Sequence, residues 1–144
     1  VAGGGAFINA SCYLENCTLV SNQINGVQIF VVGSGYLRNS IIWGNGTTDI
    51  ASVNSHLNSF TYCCSPGLTN SSSGNITSSP AFVDFAQSDF RPSFRSPCIN
   101  RGTNQAWMST ALDFLGQPRI VQDVVDMGAY EIKVVPQGSI FTIN

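Results

Sequence analysis

Charge is what this chain has least of: 10% of its 144 residues are charged, against roughly 25% in an average domain. The hydrophobic share is 43%, so water is met mainly by Asn, Ser, Thr and Gly. A formal net charge of −2 supplies neither a basic field for nucleic acid nor a polybasic patch for anionic lipid, and neither partner is expected. No apolar run approaches the roughly 20 residues of a membrane span, so membrane insertion is not expected. Histidine is limited to His56. Its neighbours Asn54, Ser55, Leu57 and Asn58 read as a surface bend, and no Ser–carboxylate constellation of the kind a triad needs accompanies it. The cysteines Cys12, Cys17, Cys63, Cys64 and Cys98 contain no Cys-x-x-Cys pair, which argues against zinc. Being odd in number, they cannot all pair with one another.

The little charge there is lies unevenly. Residues 1–80 carry only Glu15, Arg38 and Asp49, whereas Asp84 to Lys133 holds all the other charged side chains. The expected organisation is repeat turns over residues 1–80, terminal turns and a C-terminal cap over 81–131, and a tail strand over 132–144.

What is present is a repeat. Tyr13-Leu14-Glu15-Asn16-Cys17-Thr18 returns as Tyr36-Leu37-Arg38-Asn39-Ser40-Ile41, an offset of 36 − 13 = 23. A period in the low twenties without a helical pattern indicates a solenoid of short strands, each repeat forming one turn. Strands rise about 3.3 Å per residue, so such a turn needs several strands joined by bends, with successive turns paired in parallel. The expected fold is therefore all-β: a right-handed parallel β-helix, its hand set by the crossover rule, with an irregular C-terminal cap. The leucine-rich alternative lacks its Leu-x-x-Leu-x-Leu pattern here.

Sliding the chain by its period predicts four columns. Phe7, Phe30, Val53 and Ile76 form one apolar column, and Leu14, Leu37, Phe60 and Val83 a second. Asn16, Asn39 and Tyr62 form a bend column, in which Asn accepts left-handed geometry and bonds along the stack. Cys17, Ser40 and Cys63 form the fourth. Cys17 and Cys63 then sit about two rung spacings, roughly 9.6 Å, apart, too far for a disulfide. Cys64 and Cys12 both remain open as partners for Cys98. Gly33-Ser34-Gly35, Gly44-Asn45-Gly46 and Ser71-Ser72-Ser73-Gly74 supply further bends. Glu15 and Arg38 align one turn apart on an outward position.

Gly3-Gly4-Gly5-Ala6-Phe7 with Leu14-Glu15-Asn16-Cys17-Thr18-Leu19 resembles the repeats of polymorphic outer-membrane and autotransporter-like β-helices. The closing pattern Ser96-Pro97-Cys98-Ile99-Asn100-Arg101-Gly102, Asp113-x-x-Gly116-x-Pro118-Arg119 and Val125-Asp126-Met127-Gly128-Ala129-Tyr130-Glu131 is similar to the C-terminal segment of bacterial secreted choice-of-anchor Q domains. The resemblance implies an exported, extracellular or cell-surface protein of pectate-lyase-like fold, and it implies no particular reaction. Such domains usually precede an anchoring tail, whereas Ile132 to Asn144 is all that follows here.

Polysaccharide lyases on this fold need a basic residue beside an acidic calcium cluster on one face. No repeat carries two carboxylates, and Asp49 stands alone. The terminal set Asp113, Arg119, Asp123, Asp126 and Glu131 is rich enough, but its setting among small and apolar residues favours structural ion pairs. Trp43, Tyr62 and Trp107 could stack on a sugar, although inward or cap-packing roles are favoured. No residue is singled out as catalytic, cofactor-binding or metal-ligating, and no cofactor is expected. The expected function is a non-catalytic structural or adhesive region of a surface protein, able to self-associate end to end as a filament subunit. Its expected partners are upstream turns of a longer polypeptide, neighbouring copies, and glycans. The alternative is the C-terminal part of a polysaccharide lyase or glycoside hydrolase whose catalytic turns lie upstream of Val1. The opening residues Val1 to Phe7 lack a capping segment, so that face is expected to be covered by upstream turns or by a neighbour's tail.

Overall fold

The repeat register is realised as parallel strand pairing in a computed structural model, which describes residues 4–9, 11–29, 35–52, 59–68 and 73–134. His56, Phe30, Val53, the Gly33-Ser34 bend and the tail segment Ile140 to Ile143 lie outside the described residues. The chain is all-β. Among the described residues ten short strands follow one another: β1 (Ala6–Ile8), β2 (Cys12–Glu15), β3 (Thr18–Val20), β4 (Asn25–Ile29), β5 (Gly35–Arg38), β6 (Ile41–Trp43), β7 (Thr48–Ser52), β8 (Ser59–Thr61), β9 (Phe82–Asp84) and β10 (Asp89–Pro92). Helix is almost absent among the described residues, with Ala106–Ser109 forming a short 3₁₀ turn.

Among the described strands three small sheets are parallel, in the orders β1-β4-β7, β2-β5-β8 and β3-β6. Leu14 pairs with Leu37 and Leu37 with Phe60, as the second column requires. Leu37 is buried, and Leu14 and Phe60 pack against the same core. Val83 does not join them: it lies 51% exposed in β9, which pairs antiparallel with β10. Beyond Pro80 the chain has left the repeat, and the period no longer carries structural meaning there.

The first column fails at Phe7. Strand β1 pairs with β4 at an offset of 27 − 6 = 21, as in Ala6 opposite Val27 and Ile8 opposite Ile29. This register is two positions shorter than the repeat, which preserves the alternation of faces, so Ile8, Val27 and Ile29 remain buried. Phe7 instead shares the outward face with Gln28 and is 61% exposed. Ile76 is displaced as well. It bridges Cys64, which in turn bridges Ile41, because residues 73–76 already supply the next rung beneath 62–65. Tyr62 N donates to Ser73 O at 2.9 Å and Ile76 N to Cys63 O at 2.8 Å.

The bend column forms as its residue types require. Asn16, Asn39 and Tyr62 all take positive φ, at 50°, 50° and 53°, a region open to Asn and costly for Tyr. Asn39 Nδ2 donates to Asn16 Oδ1 at 3.4 Å, so the amides bond along the stack. A second amide rung lies at the next bend, where Asn45 Oδ1 accepts from Asn22 N at 3.0 Å and from Asn22 Nδ2 at 2.9 Å. Asp49 is buried beside it and accepts from Asn45 N at 2.9 Å, which gives this isolated carboxylate a structural task.

The described residues form two apolar clusters. The first holds Ile8, Val27, Ile29, Leu37, Ile42, Cys63 and Leu68 between the parallel sheets. The second joins Ile41 and Cys64 to Cys98 and Met127. Ile41 and Ile42 are neighbours in β6 and point to opposite faces, yet both are fully buried. The second face is covered by the terminal segment. Gly128 N donates to Asn39 O at 2.7 Å, and Ala129 N donates to Thr18 Oγ1 at 2.9 Å. The segment thus runs along the flank of the repeats beside the Asn bend. Gly128 is required for this approach: its φ is 97°, and a Cβ there would lie 2.7 Å from Thr18 Oγ1.

Candidate functional site

Sheet geometry places Tyr13 and Glu15 of β2 on one outward face, with Tyr36 and Arg38 of β5 directly alongside. Tyr13 and Tyr36 stack with ring centroids 4.8 Å apart and planes 15° from parallel. They are 69% and 38% exposed. Arg38 Nη1 lies 3.2 Å from Glu15 Oε1, as the alignment of the two positions predicts, and donates to Gln105 Oε1 at 2.7 Å. With both partners partly exposed, the pair contributes about 0 to 1 kcal/mol. Trp107, carried by the 3₁₀ turn, donates from Nε1 to Glu15 Oε2 at 3.1 Å and stays 47% exposed. Glu15 is therefore held from two sides by groups of different elements.

Beside this row lies a cleft of about 290 Å³ lined by Glu15, Asn16, Trp107, Leu112, Asp113, Phe114, Arg119 and Ala129. Its rim is apolar, with Leu112 63% and Phe114 75% exposed. The Phe114 ring meets Tyr130 edge to face, centroids 5.6 Å apart. Trp43, by contrast, packs against the second apolar cluster, and Tyr62 sits at its bend against Gly74.

Four of the five charged residues of the terminal set come together under this cleft. Asp113, Arg119, Asp126 and Glu131 are all buried, whereas Asp123 is exposed. Their polar atoms are occupied by backbone. Asp113 Oδ1 accepts from Leu115 N at 2.8 Å and Gln117 N at 2.7 Å, and its Oδ2 accepts from Glu131 N at 2.9 Å. Asp126 accepts from Asn100 N and Ile132 N, each at 2.7 Å. Both Glu131 oxygens accept from Asp126 N, at 3.2 and 3.1 Å. Arg119 donates to the carbonyls of Ala129 and Gly128, and its Nε faces Glu131 Oε1 at 3.6 Å without a hydrogen bond.

Burial dominates the electrostatics of this cluster. Desolvation, reinforced by the charge of Asp126, pushes the Glu131 carboxyl up from 4.5 to about 8. Desolvation also raises Asp126, against the hydrogen bonds from Asn100 and Ile132, and lowers Arg119, against the pull of Glu131. The set is a fold-closing staple in which each carboxylate fixes a different stretch of backbone. No group of His, Cys, Asp and Glu suited to holding a metal ion occurs among the described residues.

Sequence reasoning does not single out the Tyr13–Tyr36 stack or the roles of Gln105 and Leu112. A signal for the tyrosines exists, since both fall in the repeat register with outward parity. Gln105 and Leu112 carry no such signal, because nothing local reveals where the terminal segment docks. No family model, curated protein or solved structure matches this chain. No helix among the described residues is long and apolar enough to cross a membrane.

Proposed function

We propose that this chain is a stretch of right-handed parallel β-helix from an exported cell-surface protein, similar to the choice-of-anchor Q domains, and that its role is non-catalytic and adhesive. The observation that carries the reading is the outward row of stacked Tyr13 and Tyr36, the Glu15–Arg38 pair and Trp107. Aromatic faces beside fixed polar groups suit a ligand that is apolar on one face and hydroxylated at its edges, as a sugar ring is. Rings stacked from one repeat to the next also suit a ligand that itself repeats, such as a polysaccharide. The non-catalytic part is supported by Asp113, Asp126 and Glu131, whose carboxylates are buried and committed to backbone amides where a lyase needs an accessible base and acid.

Titration of the chain with soluble polysaccharides, followed by tyrosine and tryptophan fluorescence, tests this reading. Saturable binding is expected. Tyr13→Ala should weaken it at least tenfold with the thermal midpoint nearly unchanged, since Tyr13 lies outside the core. Absence of binding, or equal binding by the variant, contradicts the adhesive assignment. Release of unsaturated or reducing ends from the same polysaccharides contradicts the non-catalytic one.

A further inference from the structure

We propose that Cys64 and Cys98 are the two halves of a disulfide that fastens the terminal segment to the third repeat. Both side chains are fully buried in the second apolar cluster, between Ile41 of β6 and Met127 of the terminal segment. The two side chains pack and interact within this cluster, and the Cys64 thiol donates to Ser78 O at 3.4 Å. Each backbone is pinned on its own side of this contact. Cys64 N donates to Ser40 O at 2.8 Å and Cys64 O accepts from Ile42 N at 2.9 Å, which fixes the cysteine to the repeats. Cys98 N donates to Ser96 Oγ at 3.1 Å and Cys98 O accepts from Met127 N at 3.0 Å, which fixes it to the terminal segment.

The other cysteines are placed elsewhere. Cys63 points to the opposite face of the chain from Cys64 and lies in the first apolar cluster, where Cys12 also packs. Cys17 occupies the column of Ser40 and Cys63, with Cys17 N donating to Ser40 Oγ at 3.1 Å. Of the two partners the sequence leaves open for Cys98, the fold brings up Cys64.

The chemistry balances with a low-molecular-weight disulfide as oxidant. Before the terminal segment docks, the Cys98 thiol is open to solvent and ionises as an exposed cysteine does. Its thiolate attacks one sulfur of the small disulfide, releasing one small thiol and leaving a mixed disulfide on Cys98. Cys64 then loses its proton and attacks the Cys98 sulfur, releasing the second small thiol. Two protein thiols become one disulfide, and two electrons pass to the reagent. Because neither sulfur meets solvent in the closed fold, the first exchange takes place before the terminal segment settles on the repeats. The link then keeps it there. This inference is independent of the adhesive reading, since it concerns only how the fold is closed.

The test is to refold the full chain in a glutathione redox buffer, alkylate residual thiols in denaturant, and map the peptides by mass spectrometry. Before alkylation the expected product is about 2 Da lighter than the reduced chain; after it, the map joins the Cys98 peptide to the peptide bearing Cys63 and Cys64 and shows alkyl groups on the remaining cysteines. Cys63→Ala should retain the link and Cys64→Ser should lose it. The oxidised protein should melt roughly 10 °C above the same protein in reductant. Full alkylation of Cys64 and Cys98, or a dominant link to any other cysteine, overturns the proposal. If Cys64→Ser fails to fold, the peptide map of Cys63→Ala decides alone.

Discussion

Asn39 shows how much one side chain can carry when charge is scarce. It is fully buried, takes the left-handed bend at φ 50°, and exchanges two hydrogen bonds with the terminal segment. Asn39 Nδ2 donates to Thr103 O at 2.9 Å, and Asn39 Oδ1 accepts from Thr103 N at 2.8 Å. Asn39→Ala removes both bonds to Thr103 and the one to Asn16, leaving Thr103 N unpaired and Thr103 O with only Gln105 Nε2 at 3.4 Å, at about 1 kcal/mol for each bond lost. Urea unfolding should therefore show a loss of at least about 2 kcal/mol, and an unchanged midpoint would mean that the terminal segment is not docked on this amide. Glu131 sets a pH dependence. Its carboxyl is raised from 4.5 to about 8 in the fold, so between those values the folded chain binds more protons than the unfolded one. Its stabilising share is fully present below pH 4.5 and is lost as pH rises through about 8. Asp126, also raised, acts in the same direction. The thermal midpoint should fall between pH 5 and pH 9, and Glu131→Gln should flatten the fall. A midpoint that rises over this range contradicts the burial of the cluster.

Among the elements, β2, β5 and β8 are the most legible in the sequence, because Tyr13-Leu14-Glu15 and Tyr36-Leu37-Arg38 repeat both chemistry and parity. Leu37 is the central member of its column, so Leu37→Ala loses contacts to Leu14 and Phe60 and leaves a cavity. A cost of about 2 to 5 kcal/mol is expected, and a change under about 1 kcal/mol in denaturant unfolding would remove Leu37 from the stack. The β1–β4 register is not legible, since a slip by an even number of positions leaves the alternation of faces intact and only Phe7 betrays it. The double burial of β6 leaves a readable trace. Ile41-Ile42 and Cys63-Cys64 are consecutive residues with no polar position between them, which is the pattern of a strand covered on both faces. Periodicity reports what repeats, and the terminal segment that covers this second face does not repeat.

At the scale of the molecule, the terminal segment ties together repeats that are distant in sequence. Asn16 Nδ2 reaches Asp126 O at 3.3 Å, Asn39 meets Thr103, and Cys64 of the third repeat shares a buried cluster with Cys98. A repeat array normally unfolds in parts because each unit touches only its neighbours. Here a single flanking segment touches the first, second and third repeats, and so couples their unfolding. The charged residues collect in this segment because it must fix irregular backbone, which Asp113, Asp126 and Glu131 do through amides that no sheet satisfies.

The central claim is that β2, β5 and β8 of successive repeats pair in parallel, Tyr13 beside Tyr36 and Leu37 beside Phe60, while the terminal segment lies along their Asn bend. It is tested most directly by proton–proton nuclear Overhauser effects in the full chain. Cross-peaks are expected linking Tyr13 to Tyr36, Leu14 to Leu37 and Leu37 to Phe60, together with others from Gly128 to Asn39 and from Ala129 to Thr18. Cross-peaks that instead connect β2 to β3 as an antiparallel hairpin, or an absence of any between residues 128–129 and the bend, would contradict it.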